Sequence, residues 1–129
     1  MYKLLSIEAS VATRNLELEN LDTATIDVCF DDSAVTSFKN FDFMKINESY
    51  NCKIYLFGEL DDSGEKFKYI KDVTVGRKVL SEVINGKGDL YYVNKISASE
   101  CLSKQKMLSY KYTRKDLVQV NNIVHSDFE

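Results

Sequence analysis

From Tyr50 to Leu60 the chain alternates with a period of two. Tyr50, Cys52, Ile54, Leu56 and Leu60 fall on one face, and Asn51, Lys53, Tyr55, Phe57 and Glu59 on the other. That spacing puts successive side chains on opposite faces of a pleated strand, a surface that suits Tyr, Ile and Phe. Tyr55 and Phe57 give the second face apolar bulk of its own, as in a strand covered on both sides. Just upstream, Phe38, Phe41, Phe43, Met44 and Ile46 form a dense apolar plug, and Asn47, Glu48 and Ser49 turn the chain into the strand. The segment reads as the central strand of a β-rich domain whose end the plug closes.

The same pattern predicts further elements. Tyr2–Val11 reads as a first strand with Leu5, Ile7 and Ala9 on one face, and Ala12–Glu19 fits either a strand or a helical turn. After a turn at Asn20–Asp22, Thr23–Phe30 alternates again, with Ala24, Ile26, Val28 and Phe30 opposite Thr25, Asp27 and Cys29. Asp31-Asp32-Ser33 ends that strand, and Ser33 is placed to cap a short helix over Ala34–Lys39. Asp61-Asp62-Ser63-Gly64 has the composition of a hairpin turn, which makes Lys66–Val75 the antiparallel partner of the central strand. Asn85-Gly86-Lys87-Gly88 between Val79–Ile84 and Leu90–Ile96 is a stronger hairpin signal. A capping box (Ser97, Glu100) opens a helix over Ser97–Ser103. Met107–Tyr112 and Asp116–Val124 are further strands, and His125–Glu129 is a frayed tail. The expected fold is mainly β with one or two short helices, an antiparallel sandwich or small OB-like barrel, in a single domain over residues 1–129.

Composition narrows the class. The 129 residues are 44% hydrophobic and 29% charged, enough apolar material for one sizeable core. No apolar run approaches a membrane span, and the start is too weakly apolar for a signal peptide, so a cytoplasmic location is expected. Cys29, Cys52 and Cys101 are odd in number and far apart, which reads as buried thiols and not a disulfide framework. The net charge of −3 conceals opposed halves. Residues 1–65 carry 13 acidic and 5 basic side chains, and residues 66–129 carry 7 and 12. Folded together, these halves either interleave and cancel or present one acidic and one basic side, and segregated fields steer charged partners.

The catalytic inventory is thin. The one histidine, His125, lies in the expected tail, and nucleophilic catalysis of the Ser–His–Asp or Cys–His kind needs a base held in place. Three scattered cysteines with no CxxC and no HxxxH leave zinc without a ligand set, so no catalytic residue, metal or cofactor is expected. Asp31-Asp32 and Asp61-Asp62 are paired carboxylates, but both pairs sit where Asp favours turns. The basic half interleaves aromatics in Lys66-Phe67-Lys68-Tyr69, Leu90-Tyr91-Tyr92-Val93 and Tyr110-Lys111-Tyr112 with Arg114 and Lys115, the makings of a stacking platform for single-stranded nucleic acid.

Phe43–Ile54, FMKINESYNCKI, resembles the plug, turn and strand of OB-fold-like barrels, with Asn47 where such barrels carry Gly. As a whole, a compact acidic chain of this size without catalytic residues resembles the immunity proteins of bacterial toxin–immunity systems, including contact-dependent inhibition. That resemblance implies a non-enzymatic protein that neutralises a cognate toxin, for example a nuclease, by occluding its active site. The chain's own acidic turns supply the candidate contacts: Asp31, Asp32, Glu59, Asp61, Asp62 and Glu65, with Tyr55 and Phe57 as aromatic anchors. The alternative is an OB-like nucleic-acid-binding domain using the basic, tyrosine-rich second half.

Overall fold

A computed structural model of the chain describes residues 1–36, 40–97, 99 and 107–129. The expected helix over Ser97–Ser103 with its Glu100 cap partner, Cys101, Phe38 of the plug and the end of the Ala34–Lys39 helix fall wholly or partly outside the described residues. No helix among the described residues is long and apolar enough to cross a membrane.

The protein is β-rich, as its alternation predicts. Nine strands form one mixed sheet: β1 (Tyr2–Ala9), β2 (Arg14–Asn20), β3 (Ile26–Asp31), β4 (Ser49–Tyr50), β5 (Cys52–Val75), β6 (Lys78–Ile84), β7 (Leu90–Asn94), β8 (Met107–Val120) and β9 (Ile123–Val124). The spatial order is β4-β1-β2-β3-β8-β5-β6-β7, with β9 against β8. Most pairings are antiparallel. β3–β8 and β5–β7 are parallel, each through a single pair, Phe30 with Asp116 and Tyr55 with Tyr92. β7 thereby folds back onto the first half of β5, while the sheet stays open at β4. One short helix, α1 (Ser33–Thr36), follows β3.

The first three strands form a meander whose register decides what is buried. A bulge between Leu4 and Ser6 in β1 switches the core face from Tyr2 and Leu4 to Ile7, so the predicted Leu5–Ile7–Ala9 face does not run through the strand. In the second ladder Leu16 opposes Cys29 and Leu18 opposes Asp27. Opposed side chains share a face, and Leu16 and Leu18 are fully buried, so Cys29 and Asp27 point inward. Ile26 and Val28 are left outside.

The long strand corrects the sequence reading. Asp61–Gly64 is no hairpin turn, and Lys66–Val75 does not return alongside Tyr50–Leu60. Both halves belong to one strand of 24 residues, β5. β8 runs antiparallel along it, and Leu60 and Glu65 both oppose Tyr110, so residues 61–64 are a bulge looping out of a continuous ladder. Inside the bulge Asp61 Oδ1 accepts from the Ser63 N–H at 2.8 Å, the local bond that makes Asp a turn residue. Gly64 permits a close backbone approach, since a β-carbon there would lie 2.2 Å from the Tyr110 carbonyl carbon. The predicted strands Met107–Tyr112 and Asp116–Val124 likewise merge, Met107–Val120 being the single strand β8.

The Asn85–Gly88 hairpin is found where expected, between β6 and β7. Asn85 Oδ1 accepts from the Lys87 and Asp89 N–H groups, and Gly88 takes a positive φ of 93°. The tail is not frayed. His125 is buried, Ser126–Phe128 forms a 3-10 turn, and Phe128 packs edge-on against Tyr55 with ring centroids 5.7 Å apart. The Arg77 N–H donates to the Phe128 carbonyl at 2.5 Å, and Gly76, with φ of 60°, leaves room for that carbonyl.

Candidate partner-binding surface

Because Asp27, Cys29 and Asp31 occupy the inner face of β3, its apolar residues line the outside. Ile26 is 52% exposed, Val28 56% and, across β8 on β5, Phe57 52%. Arg114 on β8 joins the two sides: its guanidinium lies 4.5 Å from the Phe30 ring centroid and 5.0 Å from that of Phe57. Asp116 holds the guanidinium in place through Nε at 2.5 Å and an Nη at 3.1 Å. The result is a flat apolar area with a fixed cation between two rings, an arrangement in which cation–π attraction offsets the cost of confining the arginine. Glu59 and Asp61 continue the Phe57 face of β5 toward the bulge.

The residues singled out in the sequence separate into two sets. Phe57, Glu59, Asp62 and Glu65 are exposed on or beside this surface, and Asp61 is half-buried. Asp31 and Tyr55 are withdrawn from it. Asp31 is 2% exposed, where Arg14 donates to its Oδ2 from Nε at 3.0 Å and Nη at 2.7 Å and the Ser33 N–H donates to Oδ1. Tyr55 is 9% exposed, under Phe128, with its hydroxyl donating to Asn94. Asp32 is partly exposed and bound to His125. Of the tyrosines proposed as a stacking platform, Tyr91, Tyr92 and Tyr110 are buried, their hydroxyls donating to Asp27, Glu82 and the Gly58 carbonyl, while Tyr69 and Tyr112 are half-buried.

Beside the exposed face lies a groove. β3 and β8 touch at Phe30 and Asp116, and since they run parallel they part together toward their N-terminal ends. Two adjoining hollows of about 470 and 510 Å3 fill the opening, with Ile26, Tyr112 and Lys115 common to both. Beneath them Asp27 is 2% exposed and accepts from the Tyr91 hydroxyl at 2.7 Å and from Lys115. Burial alone would lower the Lys115 pKa, but the bond and the charge of Asp27 outweigh it and raise it, so the lysine stays cationic. Burial and the bond to Asp27 push the Tyr91 phenol far up, so it remains a donor. At the wide end Asp89 accepts from Thr23 at 2.5 Å, Thr25 at 2.8 Å and Asn85 at 3.1 Å, and the exposed Lys66 and Lys87 stand on the rim.

A third cluster forms where the C-terminal turn meets the end of β3. Ligand-type atoms of Asp32, His125 and Asp127 lie within 4.8 Å of one another. His125 Nδ1 accepts from the Asp127 N–H at 3.1 Å, so Nε2 carries the proton shared with Asp32 Oδ1 at 2.6 Å. A metal bond of roughly 2.0–2.1 Å to either nitrogen requires one of these bonds to break. As built, the cluster fastens the tail. Burial raises the pKa of both described thiols: Cys29 well up, Cys52 to about 12, so neither is a ready nucleophile.

No protein-family model, curated protein or solved structure matches the chain. Its geometry therefore carries the functional reading. Ile26 and Val28 were missed in the sequence, where Arg114 stood out only as a cation of the basic, tyrosine-rich stretch. Alternation put the two apolar residues on one face of a strand, but the period is the same whether that face points in or out.

Proposed function

We propose that the chain is a protein-binding module that acts by covering its partner, in the setting of an immunity protein that neutralises a cognate bacterial toxin. One observation carries this reading: Ile26, Val28 and Phe57 are each at least half exposed around an arginine fixed between two rings. Aromatic residues and arginine dominate binding hot spots, and a contiguous exposed apolar patch rimmed by charge marks interaction surfaces. Glu59, Asp61, Asp62 and Glu65 give the rim an acidic arc suited to a basic partner such as a nuclease, through steering and register more than affinity.

The test is co-production with the product of a neighbouring reading frame that is toxic when made alone. The wild-type chain should restore growth, and a Val28→Asp/Phe57→Asp variant with an unchanged circular dichroism spectrum should not. Equal protection by that variant would remove this face from the interface, and no protection by the wild type would remove the immunity role.

A further inference from the structure

We infer that the gap between β3 and β8 receives an extended segment of a partner protein, which adds to the sheet as a strand, placing apolar side chains over Ile26 and Val28 and a carboxylate among Lys66, Lys87 and Lys115. This rests on the protein-binding reading and specifies how the partner is held.

The backbone makes the first argument. On one side β3 pairs with β2 along its whole length. On the other it meets β8 at Phe30 and Asp116 alone. β8 has β5 on one side from Met107 onward, and its side facing β3 is unpaired before Asp116 among the described residues. Two sheet edges therefore face one another across a groove. Unpaired edge N–H and C=O groups are a template for a further strand, and main-chain bonds of this kind supply affinity while side-chain pockets supply selectivity. Edges of this type are commonly blunted by charge. Here the outward residues of β3 are Ile26 and Val28.

Charge makes the second argument and sets the chemistry of the occupant. The acids lining the wide end are already engaged: Asp27 by Tyr91 and Lys115, Asp89 by Thr23, Thr25 and Asn85, and Glu65 by the Tyr112 hydroxyl at 2.9 Å. Lys66 and Lys87 form no ion pair among the described residues, and Lys115 keeps N–H donors beyond the one given to Asp27. In sum three lysines balance three acids at the wide end, but Asp27 and Asp89 are buried, so its exposed rim carries Lys66 and Lys87 against Glu65 alone. Toward the narrow end Val28 is exposed and the charge of Arg114 is paired with Asp116. A strand carrying Asp or Glu at one end and Val- or Ile-like residues at the other complements both.

The experiment is an NMR titration of the full 15N-labelled chain with a scanning set of extended peptides of about ten residues, valine at alternate positions and Glu, Gln or Lys at one end. The Glu peptides should shift the amides of residues 26–29 and 112–115 and bind about tenfold more tightly than their Lys counterparts. Lys66→Glu/Lys87→Glu, which touches exposed side chains and spares the Asp27 network, should reverse that preference. No shift at about 1 mM of any peptide, shifts confined to other strands, or indifference to the end charge would overturn the inference. If the peptides fail while Val28→Asp/Phe57→Asp still abolishes protection, the slot falls and the covering reading stands. If the peptides bind while that variant still protects, the slot stands without it.

Discussion

Asp89 ties the β6–β7 hairpin to the turn before β3. Its carboxylate is 1% exposed and accepts from Thr23, Thr25, Asn85 and the Asn20 amide, all but Asn85 more than 60 residues away in the chain. Asp89→Ala leaves these donors without their acceptor and should cost about 2–3 kcal/mol in urea unfolding, the usual scale for stranded polar groups beside a lost charge. Burial by itself would raise the Asp89 pKa, but the three side-chain bonds more than compensate and hold it below the ordinary carboxylate value. A depressed folded-state pKa contributes stability that is complete above the unfolded value of about 4 and is lost as pH falls through the folded one. Wild-type stability should therefore drop more steeply than that of Asp89→Ala below about pH 4, as read by urea midpoints across pH.

At the scale of elements, the C-terminal turn behaves as part of the core. Phe128 lies against Tyr55, His125 is bonded to Asp32 with its ring 6.4 Å from that of Phe41, and the Phe128 carbonyl receives the Arg77 N–H. Deleting residues 125–129 should cost about 3 kcal/mol or more, within the range for removing a buried aromatic, where a loose tail would cost nothing measurable. The sequence hid this because a short polar segment, HSDFE, has no period to read, and its value lies in partners 51 to 93 residues away. Strand identity was legible almost throughout, since alternation is local. Faces and junctions were not. Asp27 reads as an outward residue until Tyr91 and Lys115 come to it, and Asp61-Asp62-Ser63-Gly64 has the same residues in a bulge as in a hairpin. Of the candidate site, Phe57 and the acidic residues after it were visible. Arg114 was visible as a cation beside tyrosines, but its place here was not, because it depends on two rings from different strands.

Across the whole molecule, the opposed charges of the two halves are partly drawn together, Lys115 pairing with Asp27 from the other half. The acidic bulge of β5 stays exposed. Asp61→Lys/Asp62→Lys should leave the circular dichroism spectrum unchanged yet slow association with the proposed partner and flatten its dependence on ionic strength, measurable by stopped-flow mixing at low and moderate salt. Unaltered association kinetics would separate the bulge from the interface. The place of β8 in the sheet has an effect beyond binding. It lies between β3 and β5 in the sheet yet follows both in the chain. Until β8 is made, β3 and β5 lack the strand that pairs with each of them, so the nascent chain carries its keystone behind the pieces it joins. Assembly of the sheet waits on β8, and a stop before residue 107 leaves β3 and β5 without the ladder between them, the two pieces touching through side-chain bonds such as those of Asp89 with Thr23 and Thr25.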